Sequence, residues 1–436
     1  MSVLELVLTV VAVVVSIALF VIASATVWWL VHAWREPATL RDTEFSAKGD
    51  VPLVPGLSFS LLVPARHEED VLEDTLEQLA RLDHPDYEVV AIVGSDDGGT
   101  AAVASRVAER HPGRVRVVVD HSWPKNKPKA LNTALPTCRG EIVGVFDAED
   151  EVHPRLLRVV DGVFRTTGAG VVQGGVQLVN FRSTWFSLWN CLEYFFWFRS
   201  RLHLQERHGF IPLGGNTVFI RRELLRAVGG YDPECLAEDC ELGVRLSTLG
   251  VPIVVAYDPY LVTREETPDT VRSLVKQRTR WNQGFLQVLR KGVWRELPSP
   301  RQRMLARYTL AQPFLQAFAA VAIPLAIATA LWLHAPLPVA MLTFLPAVPT
   351  VAMLVFHVVG LREFCRTYLI RVTATDYLRL LLATIPYQLL LSFAAARAVW
   401  RQSRGQLGWE KTSHRGAHRS PAAPATAPEA MRDGSP

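Results

Sequence analysis

The sequence predicts a doubly wound α/β domain flanked by membrane-length helices. Three observations predict it. Short apolar runs of strand length alternate with amphipathic stretches between residues 58 and 146. Such βαβα alternation makes a mostly parallel sheet covered on both faces. Charged residues cluster just after those runs, at the carboxyl ends of strands, where open α/β sheets bind ligands. Apolar segments of bilayer length precede and follow this region.

The first element is apolar from residue 6 to 31, longer than the ~20 residues a spanning helix needs. Ala23-Ser24-Ala25 would suit a cleavage site, but no basic segment precedes the run and it is too long for a signal peptide. Residues 1–34 are therefore expected to be an uncleaved anchor with Trp28 and Trp29 at an interface. Arg35, Arg41 and Lys48 follow. The positive-inside rule then places the next segment in the cytoplasm.

That segment, residues 50–300, is the expected main domain. Ser58–Pro64 is a buried parallel strand by its apolar run. Residues 69–81 are helical, with Val71, Leu72, Leu76 and Leu79 on one side. Strands are expected at Tyr87–Val93, Val115–Val119 and Glu141–Phe146, and helices at 100–110 and 126–136. Residues 184–203 are rich in aromatics, contain Glu193 and end basic, which fits an interfacial helix better than a span. A second interfacial helix is expected at 270–290.

Residues 305–400 hold about three further apolar segments, with a break near His334-Ala335-Pro336. One span before the domain and three after it conflict with the charges. Arg362, Arg366 and Arg371 precede the last segment, and Arg401, Arg404, Lys411 and Arg415 follow it. Both flanks cannot be cytoplasmic if that segment crosses once. A re-entrant segment at Pro386, or at Pro346 and Pro349, would resolve this. Residues 401–436 are basic at first; beyond 417, a Pro-, Ala- and Ser-rich composition predicts disorder.

Apolar residues make up 49% of the 436 residues and mean hydropathy is +0.16, an excess these segments account for. A net charge of only +4 argues against a nucleic-acid-binding face. The five cysteines form no CxxC pair, consistent with a reduced, cytosol-facing domain. The absence of GxGxxG and Walker motifs argues against dinucleotide and P-loop ATP sites.

Five short stretches carry chemistry. Asp96-Asp97-Gly98-Gly99 follows a strand, as a turn or as a carboxylate contact to a nucleoside. Lys127 and Lys129 flank Pro128 ahead of a helix, as a solvated turn or a phosphate site. Phe146-Asp147-Ala148-Glu149-Asp150 delivers three carboxylates from one apolar strand. Like charges held that close call for a cation, and oxygen ligands suit Mg²⁺ or Mn²⁺. Glu238 and Asp239 open a helix, as caps or as a base. Gln277-Arg278-Thr279-Arg280-Trp281 is an amphipathic basic stretch with an aromatic anchor. Leu213-Gly214-Gly215-Asn216-Thr217 is a further loop where glycine permits close backbone approach.

In this order, between apolar segments, these stretches resemble the membrane-embedded inverting glycosyltransferases of family two. That group includes cellulose, hyaluronan and poly-N-acetylglucosamine synthases and ceramide glucosyltransferases. The resemblance covers roughly residues 57–290, with an echo at WEKTSH, 409–414. It implies a GT-A-type, Rossmann-like domain that transfers a sugar from a UDP-sugar with inversion, forming a β-linkage. It assigns Asp96 or Asp97 to the uridine, and Lys127, Lys129, Asp147 and Arg280 to the donor diphosphate. Asp147 with Glu149 or Asp150 would hold Mg²⁺ or Mn²⁺; the family pattern is Asp-x-Asp, and this chain has Glu149 at the second position. Asp239 is implied as general base with Glu238 in support. Trp281, Gln277, Gly215 and Asn216 are implied at the acceptor. Thr263-Arg264-Glu265-Glu266 also fits the pattern, without an assigned role. The expected partners are a UDP-sugar, a glycan or lipid acceptor and membrane lipid. Polysaccharide synthesis leads and transfer of one sugar to a lipid is the alternative. About four spans are few for a polymer conduit, which leaves a homo-oligomer or export partner open.

Overall fold

The computed structural model describes residues 3–35, 55–332, 341, 345–410 and 416. Arg41, Lys48, the expected break at His334-Ala335-Pro336, WEKTSH beyond Glu410 and the tail from residue 417 lie outside the described residues.

In chain order the elements are α1 (Val3–Arg35), β1 (Phe59–Ala65), α2 (Leu72–Ala80), β2 (Tyr87–Gly94), α3 (Gly98–Arg110), β3 (Val115–Asp120) and α4 (Lys127–Ala134). Then come β4 (Ile142–Val145), α5 (Leu156–Thr167), β5 (Val171–Gly174), β6 (Val176–Leu178) and α6 (Ser187–Phe196). A π-helical turn over Trp197–Arg201 joins α6 to α7 (Leu202–Arg207). Next are β7 (Val218–Arg221), α8 (Arg222–Ala227), α9 (Glu238–Thr248), β8 (Ile253–Ala256) and β9 (Thr263–Glu265). The chain continues with α10 (Val271–Lys291), α11 (Pro300–Trp332), α12 (Ala347–Thr367) and α13 (Ala374–Ser403).

Seven strands form one sheet in the order β3-β2-β1-β4-β7-β5-β8. β1 pairs in parallel with β2 and β4, and β2 with β3, as the alternation requires. The expected parallel sheet takes one antiparallel strand, β7, which enters between β4 and β5. Between β5 and β7 the chain passes through β6, α6 and α7, with Leu202 of α7 packed on the sheet face that Leu62 lines, and enters β7 through the Leu213–Thr217 loop. β6 and β9 form a separate two-stranded parallel sheet.

Successive side chains of a strand face opposite sides, and this splits the core in two. Phe59, Leu61 and Val63 of β1 join Leu76 of α2, Val103 of α3 and Val160 of α5. Leu62 points the other way, to Leu131 of α4 and Leu242 of α9. Both faces being covered explains why β1 and β2 are near-continuous apolar runs.

A third cluster lies outside the sandwich. Trp189, Leu192 and Phe195 of α6 pack with Leu274 of α10, Phe364 of α12, and Leu380 and Tyr387 of α13. Among the described residues four helices are long and apolar enough to cross a membrane: Leu6–His32, Pro300–Leu325, Ala347–Thr367 and Ala374–Ser403. Many of their outward side chains are apolar, as Val14 and Val355 illustrate at 59% and 58% exposed.

Candidate active site

The carboxyl ends of β1, β2, β3 and β4 open into a cleft of about 430 Å³. Its lining brings together Arg66, Asp120, Lys127, Asp147, Glu149, Arg280 and Trp409. Residues from three of the five sequence-predicted stretches therefore line one cleft at the carboxyl edge of the sheet. Asp239 lines an adjoining small pocket with Glu238, Gly214 and Gly215.

The two aspartates after β2 separate into different roles. Asp97 is the N-cap of α3, accepting from the Thr100 N–H at 3.2 Å and from the His67 N–H at 2.5 Å. Burial would raise its carboxyl, but these donors hold it below the usual range. Asp96 pairs with Arg66 at 2.8 Å, at the rim, with both side chains partly exposed. Asp120 ends β3 inside the cleft and accepts from Ser122 N and Oγ, each at 2.9 Å, and from Thr133 Oγ1 at 3.0 Å. Sequence reading missed Asp120 and Lys125; a lone Asp closing a strand gives no motif.

Lys127 and Lys129, two residues apart at the start of α4, point to different places. Lys127 Nζ contacts the Asp147 carboxylate and donates to the Gly215 carbonyl at 2.8 Å. Burial opposes its charge, while Asp147 and Glu238 more than restore it, so its pKa lies above the ordinary lysine value. Lys129 Nζ reaches the Trp123 carbonyl at 3.4 Å and lies outside the cleft lining.

The three carboxylates after β4 also divide. Asp147 and Glu149 face the cleft. Asp150 turns inward, fully buried, accepting from the Asp147 N–H at 2.8 Å and from Asn216 Nδ2 at 2.8 Å. Burial, then the charge of Glu265, pushes the Asp150 carboxyl well up. Among the described residues no group of three or more metal-ligating side chains gathers. Two carboxylates facing a cleft still suit Mg²⁺ or Mn²⁺, which commonly take one or two carboxylates plus phosphate oxygens. Asp150 is not among the residues lining the cleft, and each of its oxygens holds one protein donor.

Asn216 and Gly215 lie on the loop before β7. Asn216 is 6% exposed, its amide committed to Asp150 and Glu265. Thr217 adopts φ of 50°, unusual for a β-branched residue. It is held there by Thr263 Oγ1 at 2.6 Å and by its own N–H to the Val145 carbonyl at 2.8 Å. Thr263 and Glu265 thus brace this loop, which gives the Thr263–Glu266 stretch a structural role. A Cβ on Gly215 would sit 2.9 Å from Asp239 Oδ2, so glycine lets the loop touch the carboxylate.

Glu238 and Asp239 begin α9 without acting as side-chain caps of its N-cap residue, Ala237. Asp239 Oδ1 accepts the adjacent Cys240 N–H at 2.7 Å. Burial, reinforced by the charge of Asp239, pushes Glu238 up to about 7. Burial also raises Asp239, opposed by the Cys240 N–H and Lys127. A buried carboxylate with a raised pKa is a stronger proton acceptor than a surface one.

The start of α9 is seated by α10. A Cβ on Gly284 would meet Ala237 Cβ at 2.4 Å and Ala237 N at 2.6 Å. Gly284→Ala is therefore expected to displace the Glu238-Asp239 pair. The expected result is a loss of about 1–3 kcal/mol of stability, read by thermal unfolding, with a fall in turnover. Unchanged values for both would contradict this packing argument.

α10 also carries the QxxRW stretch. Arg280 lies over the Trp409 ring at 4.3 Å, and both line the cleft. Trp281 sits 6.1 Å from Tyr194 with the Arg278 guanidinium 4.8 Å from its ring centroid. Gln277 is partly buried, its Oε1 without a hydrogen-bond partner. Trp409 reaches the cleft because Arg397 holds the next residue, Glu410, through two 2.7 Å bonds, and Gln283 Nε2 donates to the Gln406 carbonyl at 2.7 Å.

Known proteins share this architecture. A mannosyltransferase from Pyrobaculum calidifontis, solved with GDP-Man and Mn²⁺, superposes with a TM-score of 0.62 at 20% identity, covering 92% of this chain and 99% of that one. At that identity the likeness shows the fold. A beta-monoglucosyldiacylglycerol synthase of Synechocystis is 29% identical over 252 residues, 55% of this chain and 50% of that protein. A poly-beta-1,6-N-acetyl-D-glucosamine synthase of Staphylococcus epidermidis is 25% identical over 265 residues, 60% and 62% respectively. A probable glycosyltransferase of Bacillus subtilis is 27% identical over 251 residues, 56% and 59%. The chain thus spans about half to three-fifths of the length of these relatives. The model of glycosyltransferase like family 2 matches residues 55–284, the stretch holding the sheet, the cleft and most of α10, and this chain belongs to that family.

Proposed function

We propose that this protein is a membrane-bound inverting glycosyltransferase that takes a UDP-sugar and extends a glycan through a β-linkage. The observation that carries the reading is the position of Lys127. It ties Asp147, on the cleft side, to the Gly215 loop that touches Asp239. Donor-side and base-side groups are thereby held next to each other.

In this mechanism Asp239 removes the acceptor hydroxyl proton as that oxygen attacks the anomeric carbon. The bond to UDP breaks on the opposite face, so configuration inverts and no covalent intermediate forms. Lys127 and Arg280 meet the negative charge that develops on the diphosphate. Asp147 and Glu149 would hold a divalent cation, Mg²⁺ or Mn²⁺, which neutralises the leaving diphosphate. Trp281 offers a ring face for the acceptor sugar.

Three spans and one surface helix fit the charges better than four spans. α13 is tied to the domain along its length: Asp376 to Arg182 at 2.7 Å, Tyr387 to Glu193 at 2.7 Å, and Arg401 to Gln283 at 3.2 Å. Those partners sit on or beside α6 and α10, whose charges cannot lie in hydrocarbon. In this reading α1, α11 and α12 cross, while α13 lies along the cytoplasmic face. Arg362, Arg366, Arg371, Arg401 and Arg404 then share one side, as the positive-inside rule asks. An impermeant thiol reagent outside intact cells should fail to label a Gln406→Cys variant; labelling would refute this topology.

Transfer of one sugar to a lipid is the second reading. It is favoured by the exposed apolar face of α13, where Leu382, Ile385, Leu389 and Phe393 would meet lipid in this topology. The deciding experiment uses the full chain in lipid nanodiscs with Mn²⁺ or Mg²⁺ and a panel of labelled UDP-sugars. A long product supports glycan extension, and a single-sugar lipid supports the second reading. No transfer and no donor hydrolysis with any UDP-sugar would overturn both.

A further inference from the structure

Beneath the Trp281 ring lies a polar cluster built from three separate helices. Glu193 of α6 accepts from Tyr387 Oη of α13 at 2.7 Å and from the Arg278 guanidinium of α10 through an ion pair. Arg278 also donates to Asn190 Oδ1 of α6, and its Nη2 lies 3.4 Å from Tyr387 Oη. Its guanidinium carbon is 4.8 Å from the centroid of the Trp281 ring. Tyr387 is fully buried, and the Arg278 side chain is only 15% exposed.

This cluster does more than join helices. Arg278 and Trp281 are three residues apart on α10, so their side chains share one helix face. A guanidinium over an indole is held by cation–π attraction, which strengthens when water is excluded. The arginine can lie flat on the ring only while something fixes its other edge. Glu193 and Asn190 do that from α6. Tyr387 fixes Glu193 in turn from α13, and α13 leads directly to Trp409 at the donor side.

We propose that Glu193 and Tyr387 are positioning residues for the acceptor: through Arg278 they set the plane of the Trp281 ring on which the acceptor sugar stacks. This rests on the reading of Trp281 as the acceptor platform. Neither residue touches substrate. Loosening them tilts the ring, weakens acceptor binding and leaves donor binding unchanged, because the donor cleft is lined by Arg280 and Trp409 instead.

The test measures initial rates of the full chain in nanodiscs, with dioleoylglycerol and a β-linked N-acetylglucosamine tetramer as the two acceptor probes. Wild type is compared with Glu193→Gln, Tyr387→Phe and Trp281→Ala. Glu193→Gln should raise the KM of the acceptor used by about tenfold and Tyr387→Phe by about threefold, with kcat and the UDP-sugar KM within about twofold. Trp281→Ala should raise it at least as far, and adding Glu193→Gln to Trp281→Ala should change nothing more. Near-UV circular dichroism should lose a tryptophan band in Glu193→Gln that Trp281→Phe also lacks. Tyr387→Phe, which removes a single hydroxyl, keeps the test alive if Glu193→Gln fails to fold. A raised acceptor KM in Trp281→Ala with neither Glu193→Gln nor Tyr387→Phe affecting it overturns the positioning role and spares the platform reading. An unchanged acceptor KM in Trp281→Ala overturns the platform reading and the proposal with it. Equal rises in donor and acceptor KM would reduce the cluster to a structural brace.

Discussion

Replacing Asp239 by asparagine is expected to lower kcat by about 10²- to 10⁴-fold, the range a positioned general base supplies. The amide is nearly isosteric, so Asp239→Asn should still bind UDP, as calorimetry would check. The same reading has a pH signature. Burial raises Asp239, and burial with the charge of Asp239 pushes Glu238 up to about 7. A base works only when deprotonated. Turnover should therefore be complete above neutrality and fall as pH drops through the raised range of this pair, in which Glu238 sits at about 7. The pair titrates together, so the limb belongs to both carboxylates. A rate flat from pH 5 to 8, measured at saturating donor and acceptor, would count against a buried base here.

Asp147→Asn is the second large effect. It removes one of the two carboxylates after β4 that face the cleft and the partner of Lys127. Cation stabilisation of a leaving diphosphate is worth several kcal/mol, so turnover should fall by about 10²- to 10³-fold. The dependence of rate on added Mn²⁺ or Mg²⁺ should shift to higher concentration. Asp150→Asn is expected to behave differently. Asp150 accepts from the Asp147 N–H and Asn216 and faces inward. Its loss should appear first as a lowered unfolding temperature, with metal dependence changed less. Equal metal responses from the two variants would place Asp150 among direct ligands after all.

Much of the fold was legible because burial on both faces leaves a plain record in β1 and β2. Phe59–Ala65 and Tyr87–Gly94 are near-continuous apolar runs, broken only by Ser60 and Glu88, and the amphipathic α2 lies between them. The antiparallel course of β7 was not legible. Three apolar residues and an arginine carry no information on direction, which is set by where the chain re-enters the sheet. β6 and β9, three residues each, were too short to leave any periodicity.

At the site, the stretches were legible and their division of labour was not. Asp96 and Asp97 look alike in sequence, yet one caps α3 and the other meets Arg66. Lys127 and Lys129 differ in direction because α4 turns by about 100° per residue, which puts residues two apart on opposite sides. Asp120 carried no motif, and Trp409 was hinted at only by the echo at WEKTSH. Under the proposed topology the conflict arises because α13, 30 residues long, is apolar enough on its outer face to pass for a span. Its other face, tied to Arg182, Glu193 and Gln283, shows only in three dimensions.

The central claim is a single displacement driven by Asp239, and product stereochemistry tests it most directly. The full chain would be supplied with the α-linked UDP-sugar it accepts, and the new linkage read by proton NMR before any anomerisation. A β-linked product, lost in Asp239→Asn, is the predicted result. An α-linked product would mean retention and would contradict the account of Asp239 as the one base of an inverting transfer.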